Sequence, residues 1–268
     1  MKICYIHIER AGGTTFNSIL RNNYPFYIVL TPWELWTNEE KSFIKSNQLK
    51  LIQKLIPFLK GIGGHTIRYN ENLGKILNED IFYITFLRNP INRFISHYYY
   101  QKYTMGIPWN IDDFINERRF SNFMTKRFGL DDDLDKAIST IEKINFVGIT
   151  DLFDESLIIL KNLLNSKFDI FYEKKNTYFQ LNHKKESFSN QVMSNILEVN
   201  EKDLILYKYA LEKFKKKVFS YGDDFGEKLR IFKDKNQNYR YNRLRKNYIL
   251  AINIYSKFIQ RIINLSIR

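Results

Sequence analysis

Two rhythms of apolar residues alternate along the chain. Short, nearly continuous runs rich in β-branched and aromatic side chains read as strands buried on both faces; longer stretches with an apolar residue every three or four positions read as helices. The first run, Ile3-Cys4-Tyr5-Ile6, leads into a turn holding Gly12 and Gly13, then into a helix that opens on Thr14 and Thr15 and continues to Asn22. Residues 27–30 are β-favouring, and 32–36 turn into a helix. From 38 to 59, Phe43, Ile44, Leu49, Ile52, Leu55, Ile56 and Leu59 recur at helical spacing, with a break near Asn47, until Pro57 and Gly61 end the segment.

Residues 61–66 form a small strand or tight turn that carries His65 directly behind glycines. Residues 80–87 are a second buried strand, stopped by Arg88-Asn89-Pro90. Asn89 as cap and Pro90 at the first helical position predict a helix to about Tyr103, with Arg93, Ser96 and Tyr100 on one face. Helices follow at 111–117, 133–143 and 151–164, with a buried strand at 145–149. Then come a strand at 169–173, a polar loop at 180–188 and a helical pair at 190–197 and 200–221. Strands alternating with helices specify an α/β fold with a central parallel sheet flanked by helices. Residues 242–267 end the chain as a helix bearing Leu244, Tyr248, Ile252, Tyr255, Ile259, Ile262 and Ile263.

Composition narrows the class. The 268 residues, 44% hydrophobic and 16% aromatic, suffice for one substantial core, read as a domain over 1–226 with a basic helical extension over 227–268. Cys4 is the single cysteine, so no intramolecular disulfide forms and a reducing compartment is expected. There is no basic leader followed by an apolar stretch, and no run near the ~18 apolar residues of a membrane span, which predicts a soluble, cytoplasmic protein. The formal net charge is +13, and residues 227–268 hold 11 Lys/Arg against 2 Asp/Glu, a local excess of 11 − 2 = +9. Such a tail packs on the body, or lies on an acidic membrane surface at the inner face, or meets a partner. Zinc-finger spacing, an RNP signature and a recognition helix are all lacking, so nucleic acid is not an expected partner. The four histidines, His7, His65, His97 and His183, stand singly, so no metal is expected.

Chemistry concentrates at two turns. At the first, the open N–H groups of the helix start, the hydroxyls of Thr14 and Thr15 and the charge of Arg10 converge where a phosphate fits, although paired glycines also occur in ordinary strand-to-helix turns. A nucleotide triphosphatase P-loop would need Lys before the Ser/Thr, and none is present. At the second, Arg88 leaves the carboxyl end of a buried strand and Ser96 follows eight residues on.

Together these stretches resemble the sulfotransferases that use 3'-phosphoadenosine 5'-phosphosulfate, in particular the carbohydrate branch that includes heparan sulfate 2-O-sulfotransferase and its bacterial relatives. That branch carries His-Ile-Pro-Lys-Thr-Gly-Gly-Thr-Thr where this chain has His7-Ile8-Glu9-Arg10-Ala11-Gly12-Gly13-Thr14-Thr15. It carries Phe-Leu-Arg-Asp-Pro, then Arg-Phe and Ser-His-Tyr, where this chain has Phe86-Leu87-Arg88-Asn89-Pro90, Arg93-Phe94 and Ser96-His97-Tyr98. Looser echoes lie at Val147-Gly148-Ile149-Thr150, followed by a helix near Glu155-Ser156-Leu157, and at Asp203-Leu204 with Leu206-Tyr207.

The resemblance implies a P-loop-like three-layer sandwich. It implies that Arg10, Ala11, Gly12, Gly13, Thr14 and Thr15 hold the 5'-phosphosulfate side of the donor, that Arg88 and Ser96 hold its 3'-phosphate, and that adenosine 3',5'-bisphosphate is released without need of a metal. His65, in a Gly-His pair between the motifs, is implied as the base acting on a hydroxyl of a glycan or other acceptor, with Glu39, Glu40 and Glu71 as substitutes. Residues 181–185 fall where relatives fold over the nucleotide. Arg10 replaces the family's Lys: an arginine can donate hydrogen bonds to the same oxygens but does not give up a proton. Two other readings compete, a P-loop-type nucleotide kinase and a non-catalytic basic module that binds anionic polymer or membrane.

Overall fold

The computed structural model describes residues 1–30, 43–173 and 187–265, with 264 and 265 described by backbone alone. Five parallel strands, β1 (Lys2–Ile6), β2 (Tyr27–Leu30), β3 (Gly61–Gly64), β4 (Ile81–Leu87) and β5 (Phe146–Ile149), form one sheet in the order β2-β3-β1-β4-β5. Every residue of β1 is buried, as expected of a central strand covered on both faces.

The flanking helices are α1 (Gly13–Asn23), α2 (Ser46–Leu55), α3 (Leu73–Leu77), α4 (Pro90–Tyr99), α5 (Ile111–Asn116), α6 (Phe123–Gly129), α7 (Leu134–Lys143) and α8 (Phe153–Leu164). They continue with α9 (Asn190–Glu198), α10 (Glu201–Phe219), α11 (Asp224–Gln237) and α12 (Arg243–Leu265). Local signals set several boundaries. The Asn89 side chain accepts from Asn92 N at the start of α4 with Pro90 in the first turn, and Asp133 caps α7 in the same way. After Tyr99 the helix widens into a π turn over Tyr100–Thr104.

The main core covers the sheet, and a second cluster of Phe94, Tyr98, Tyr99, Phe114, Ile115, Phe120 and Ile196 packs beneath α4 and α5. The terminal helix α12 packs on β2, α1 and α2, burying Ile249, Ser256, Ile259 and Ile263. Leu244, which its spacing had grouped with the packed face, is 80% exposed instead. Among the described residues no helix is long and apolar enough to cross a membrane.

Two departures from the sequence pattern have physical causes. Residues 169–173 are extended but form no strand, because side chains take their backbone bonds: Asp169 N donates to Asn23 Oδ1, Asn23 Nδ2 to Asp169 O, and Tyr172 N to Asn236 Oδ1. The helix expected over 38–59 is described only as Ser46–Leu55; residues 32–36, and 180–186 of the loop expected at 180–188, fall outside the described residues. Helix α6 was not foreseen because its cap is remote. Asp203 of α10, fully buried, accepts from Met124 N at 3.0 Å, Thr125 N at 2.7 Å and Thr125 Oγ1 at 2.9 Å, across 78 or 79 residues of sequence.

Removing that carboxylate strands two backbone donors and a hydroxyl in the core, beside the fully buried Arg93. Asp203→Ala should therefore lower stability by about 3 kcal/mol, read as a shift in the urea midpoint at unchanged slope. A midpoint within error of the parent would show that the remote cap contributes nothing.

Candidate active site

The residues that follow β1, β3 and β4 meet at one edge of the sheet. After Ile6 the chain rises through a loop to Gly12, which takes a left-handed conformation (φ 79) and starts α1 without any side-chain cap. The loop is held from outside, since Thr150 Oγ1 donates to the Ala11 carbonyl at 3.0 Å. Uncapped first-turn amides at the positive end of an 11-residue helix make an anion cradle; the Thr14 and Thr15 side chains at its mouth are exposed and half-buried respectively.

Two arginines close on this cradle. Arg10 adopts a left-handed backbone (φ 65), uncommon for a side-chain-bearing residue and the kind of local strain that clusters at working sites. Its Nε donates to Ser96 Oγ at 3.1 Å and its guanidinium lies 4.7 Å from the centre of the Tyr100 ring. Arg88 Nη1 donates to the Arg10 carbonyl at 2.9 Å, bridging 78 residues of sequence. Burial lowers the pKa of both arginines; for Arg10 the neighbouring Arg88 charge adds to the effect, and for Arg88 the Asp151 charge opposes it. Neither has an ion-pair partner among the described residues. Two half-buried guanidinium groups held together without a carboxylate bound to either are poised for an anionic ligand.

His65 reaches the same edge from β3. Gly64 ends that strand at φ 136, where a Cβ would lie 1.9 Å from the Leu30 carbonyl oxygen, so only glycine can turn the chain there. His65 Nδ1 lies 3.1 Å from Glu9 Oε1 and 3.2 Å from the His7 carbonyl oxygen. Both partners only accept, so in the neutral ring Nδ1 carries the hydrogen and Nε2 is left with its lone pair. Arg127 of α6 completes the arrangement, its Nη1 donating to His65 O at 2.6 Å and its Nη2 lying 3.3 Å from Glu9 Oε2. Although burial opposes the charge on Glu9, His65 and Arg127 hold its carboxyl well below the usual range.

His7 packs as a spacer. Its ring stacks on His65 with centroids 4.0 Å apart, and a Cβ on Gly13 would lie 1.6 Å from His7 Nε2. The side of Gly13 left empty by the missing Cβ is filled by His7, while its amide stays at the helix start. Burial holds His7 in the neutral form.

The structure thus brings Arg10, Ala11, Gly12, Gly13, Thr14, Thr15, Arg88, Ser96 and His65 to one edge. Of the substitutes for His65, Glu71 is exposed, ion-paired to Lys143 at 2.6 Å, and lines a different cavity; Glu39 and Glu40, like residues 181–185, lie outside the described residues. His97 packs among Phe114, Phe120 and Phe123. Sequence reasoning missed Glu9 and Arg127. An acidic residue directly after a buried strand was a usable signal for Glu9. Nothing local pointed to Arg127, whose place depends on the remotely capped α6. Among the described residues no group of three or more His, Cys, Asp or Glu could hold a metal ion.

Fold and site define an α/β protein in which a basic, uncapped helix start lies beside an oriented imidazole. The family model described as "Sulfotransferase family" matches residues 1–210, and the chain belongs to the sulfotransferase family, enzymes that transfer a sulfuryl group. No curated protein matches it. The match stops within α10, leaving α11 and α12 beyond it.

The Gly13–His7 contact is open to a double-mutant cycle. Gly13→Ala alone should cost about 1–3 kcal/mol, because a buried, stacked ring has to move. In a His7→Ala background the same change should be neutral or slightly stabilising. Thermal or urea unfolding of the four proteins checks this, and additive costs would mean the ring does not depend on the missing Cβ.

Proposed function

We propose that this enzyme takes its sulfuryl group from 3'-phosphoadenosine 5'-phosphosulfate and delivers it to a hydroxyl of a carbohydrate. The observation that carries the reading is the Arg88 to Arg10 hydrogen bond, with Ser96 on the other side of Arg10: one charged site spans two turns distant in sequence, suited to a ligand with phosphate at both ends. Arg88 and Ser96 would hold the 3'-phosphate, and Arg10 with the turn from Ala11 to Thr15 the 5' side. When bound, the donor supplies the sulfuryl group, which passes to the acceptor oxygen as its bond to the 5'-phosphate breaks. Arg10 and the first-turn amides of α1 steady the negative charge left on that phosphate without surrendering a proton.

His65 Nε2 takes the proton from the acceptor hydroxyl, and Glu9 fixes the ring and supports the imidazolium that results. A cavity of about 290 Å³ opens beside His65 and Thr14, lined also by Asn17, Ser18 and Asn253. Its polar wall supports a sugar as acceptor.

With labelled donor and a glycan panel, Arg88→Ala should weaken binding of adenosine 3',5'-bisphosphate by roughly 10–100-fold. His65→Ala should keep that binding and lower turnover by about 10²–10⁴-fold. Calorimetry showing that the site takes ATP with magnesium and ignores adenosine 3',5'-bisphosphate would overturn the donor assignment.

Glu9→Gln tests the supporting carboxylate. Glu9 faces His65 Nδ1 at 3.1 Å and is itself held by Arg127, so replacing its carboxylate loosens the ring that has to meet the acceptor. Turnover should fall by about tenfold or more while adenosine 3',5'-bisphosphate binding is kept. Turnover equal to that of the parent would separate Glu9 from the base.

A further inference from the structure

We infer that Arg21 of α1 and Asn253 of α12 form an anion-accepting subsite, which takes a carboxylate or sulfate ester carried by the acceptor close to the hydroxyl that reacts. The inference rests on the sulfuryl-transfer reading for its place beside His65, and on a separate observation for its charge. Arg21 is only 9% exposed, its Nε is buried without a partner, and the side chain makes no hydrogen bond or ion pair among the described residues. The other arginines packed about the site and core differ. Arg10 donates to Ser96, Arg88 to Arg10 O, Arg93 to Phe120 O, and Arg127 to His65 O and Glu9. An unpaired buried guanidinium is costly, and a negative ligand offsets that cost.

Geometry places the charge where an acceptor lies. Arg21 lines the same 290 Å³ cavity as Thr14 and His65, and no carboxylate is among the described residues that line it. Thr14 and Arg21 are separated by seven residues of one helix, a rise of about 10 Å, and helical side chains lean back toward the N-terminus, which shortens the span to roughly that of one sugar ring with its substituent. Burial depresses the pKa of Arg21, and the Tyr27 phenol opposes that effect only in part.

Asn253 supplies the facing wall. It belongs to the terminal helix, beyond the residues that match the family, in a stretch whose neighbours Ile249, Ile252, Ile254 and Tyr255 are apolar. An amide there offers donors to the ligand without neutralising Arg21, as a carboxylate would. The terminal helix thereby helps to set which acceptor fits.

The experiment measures binding of methyl β-glucuronide, glucose 6-sulfate and methyl β-glucoside to the full chain by calorimetry, in the presence of adenosine 3',5'-bisphosphate. At least one anionic probe should bind about tenfold or more tightly than the neutral glucoside, and which one does identifies the group as carboxylate or sulfate ester. Arg21→Gln should abolish the preference and Arg21→Lys retain part of it. Asn253→Asp, which sets a carboxylate against Arg21, should also abolish it, and unchanged affinity for adenosine 3',5'-bisphosphate reports that these variants are folded. Equal binding of all three probes by the parent protein, or a preference that survives Arg21→Gln, would overturn the subsite. Failure of the parent to bind adenosine 3',5'-bisphosphate would count against the donor reading alone, since the probes still report on Arg21.

Discussion

All five strands run in one direction and β1 lies between β3 and β4, so the chain leaving these three strands is forced together at one edge of the sheet. This constraint comes from backbone pairing alone. It brings the Gly64-His65 step and Arg88 each within hydrogen-bond reach of the loop after Ile6, though all three are widely separated in sequence. Chemistry at the carboxyl edge of such a sheet follows from its topology.

The site is crowded with features that cost stability. Arg10 has a left-handed backbone, Arg10 and Arg88 repel, and Arg21 is buried without a partner. Each costs on the order of 1–3 kcal/mol, a substantial share of a typical folding free energy. The surrounding structure over-determines the arrangement: Thr150 tethers the loop, His7 fills the space over Gly13, and a fully buried central strand anchors both. The internal compensation of Glu9 by Arg127 serves His65, which has to be held in one orientation. The arginines at the anion site form no ion pair among the described residues, and only the more distant charge of Asp151 offsets the burial of Arg88.

Much of the fold was legible because its signals are local. The continuous apolar run of β4, the Asn89 and Pro90 start of α4 and the Asp133 cap of α7 announce themselves within a few residues. What was not legible depended on distant partners. The cap of α6 comes from Asp203, and the pairing that would have made 169–173 a strand was taken over by Asn23 and Asn236. Helix α11 buries only Phe225, Phe232 and Asn236, too sparse an apolar pattern to stand out. The site divides the same way. Its contiguous turn from Arg10 to Thr15 and the Arg88 strand end were readable from residue types, whereas Arg127 had no local mark.

By itself the sequence determined the alternation of strands and helices, the glycine turn and the basic residues at two strand ends, because periodicity, caps and missing Cβ atoms act over a few neighbouring residues. Only the tertiary structure decided that Glu9 faces His65 and Arg127, that Gly13 makes room for His7, and that Arg21 and Asn253 share a cavity with the imidazole. Those pairings form between side chains remote along the chain, and it is the order of strands in the sheet and the packing of α6 and α12 that bring them together.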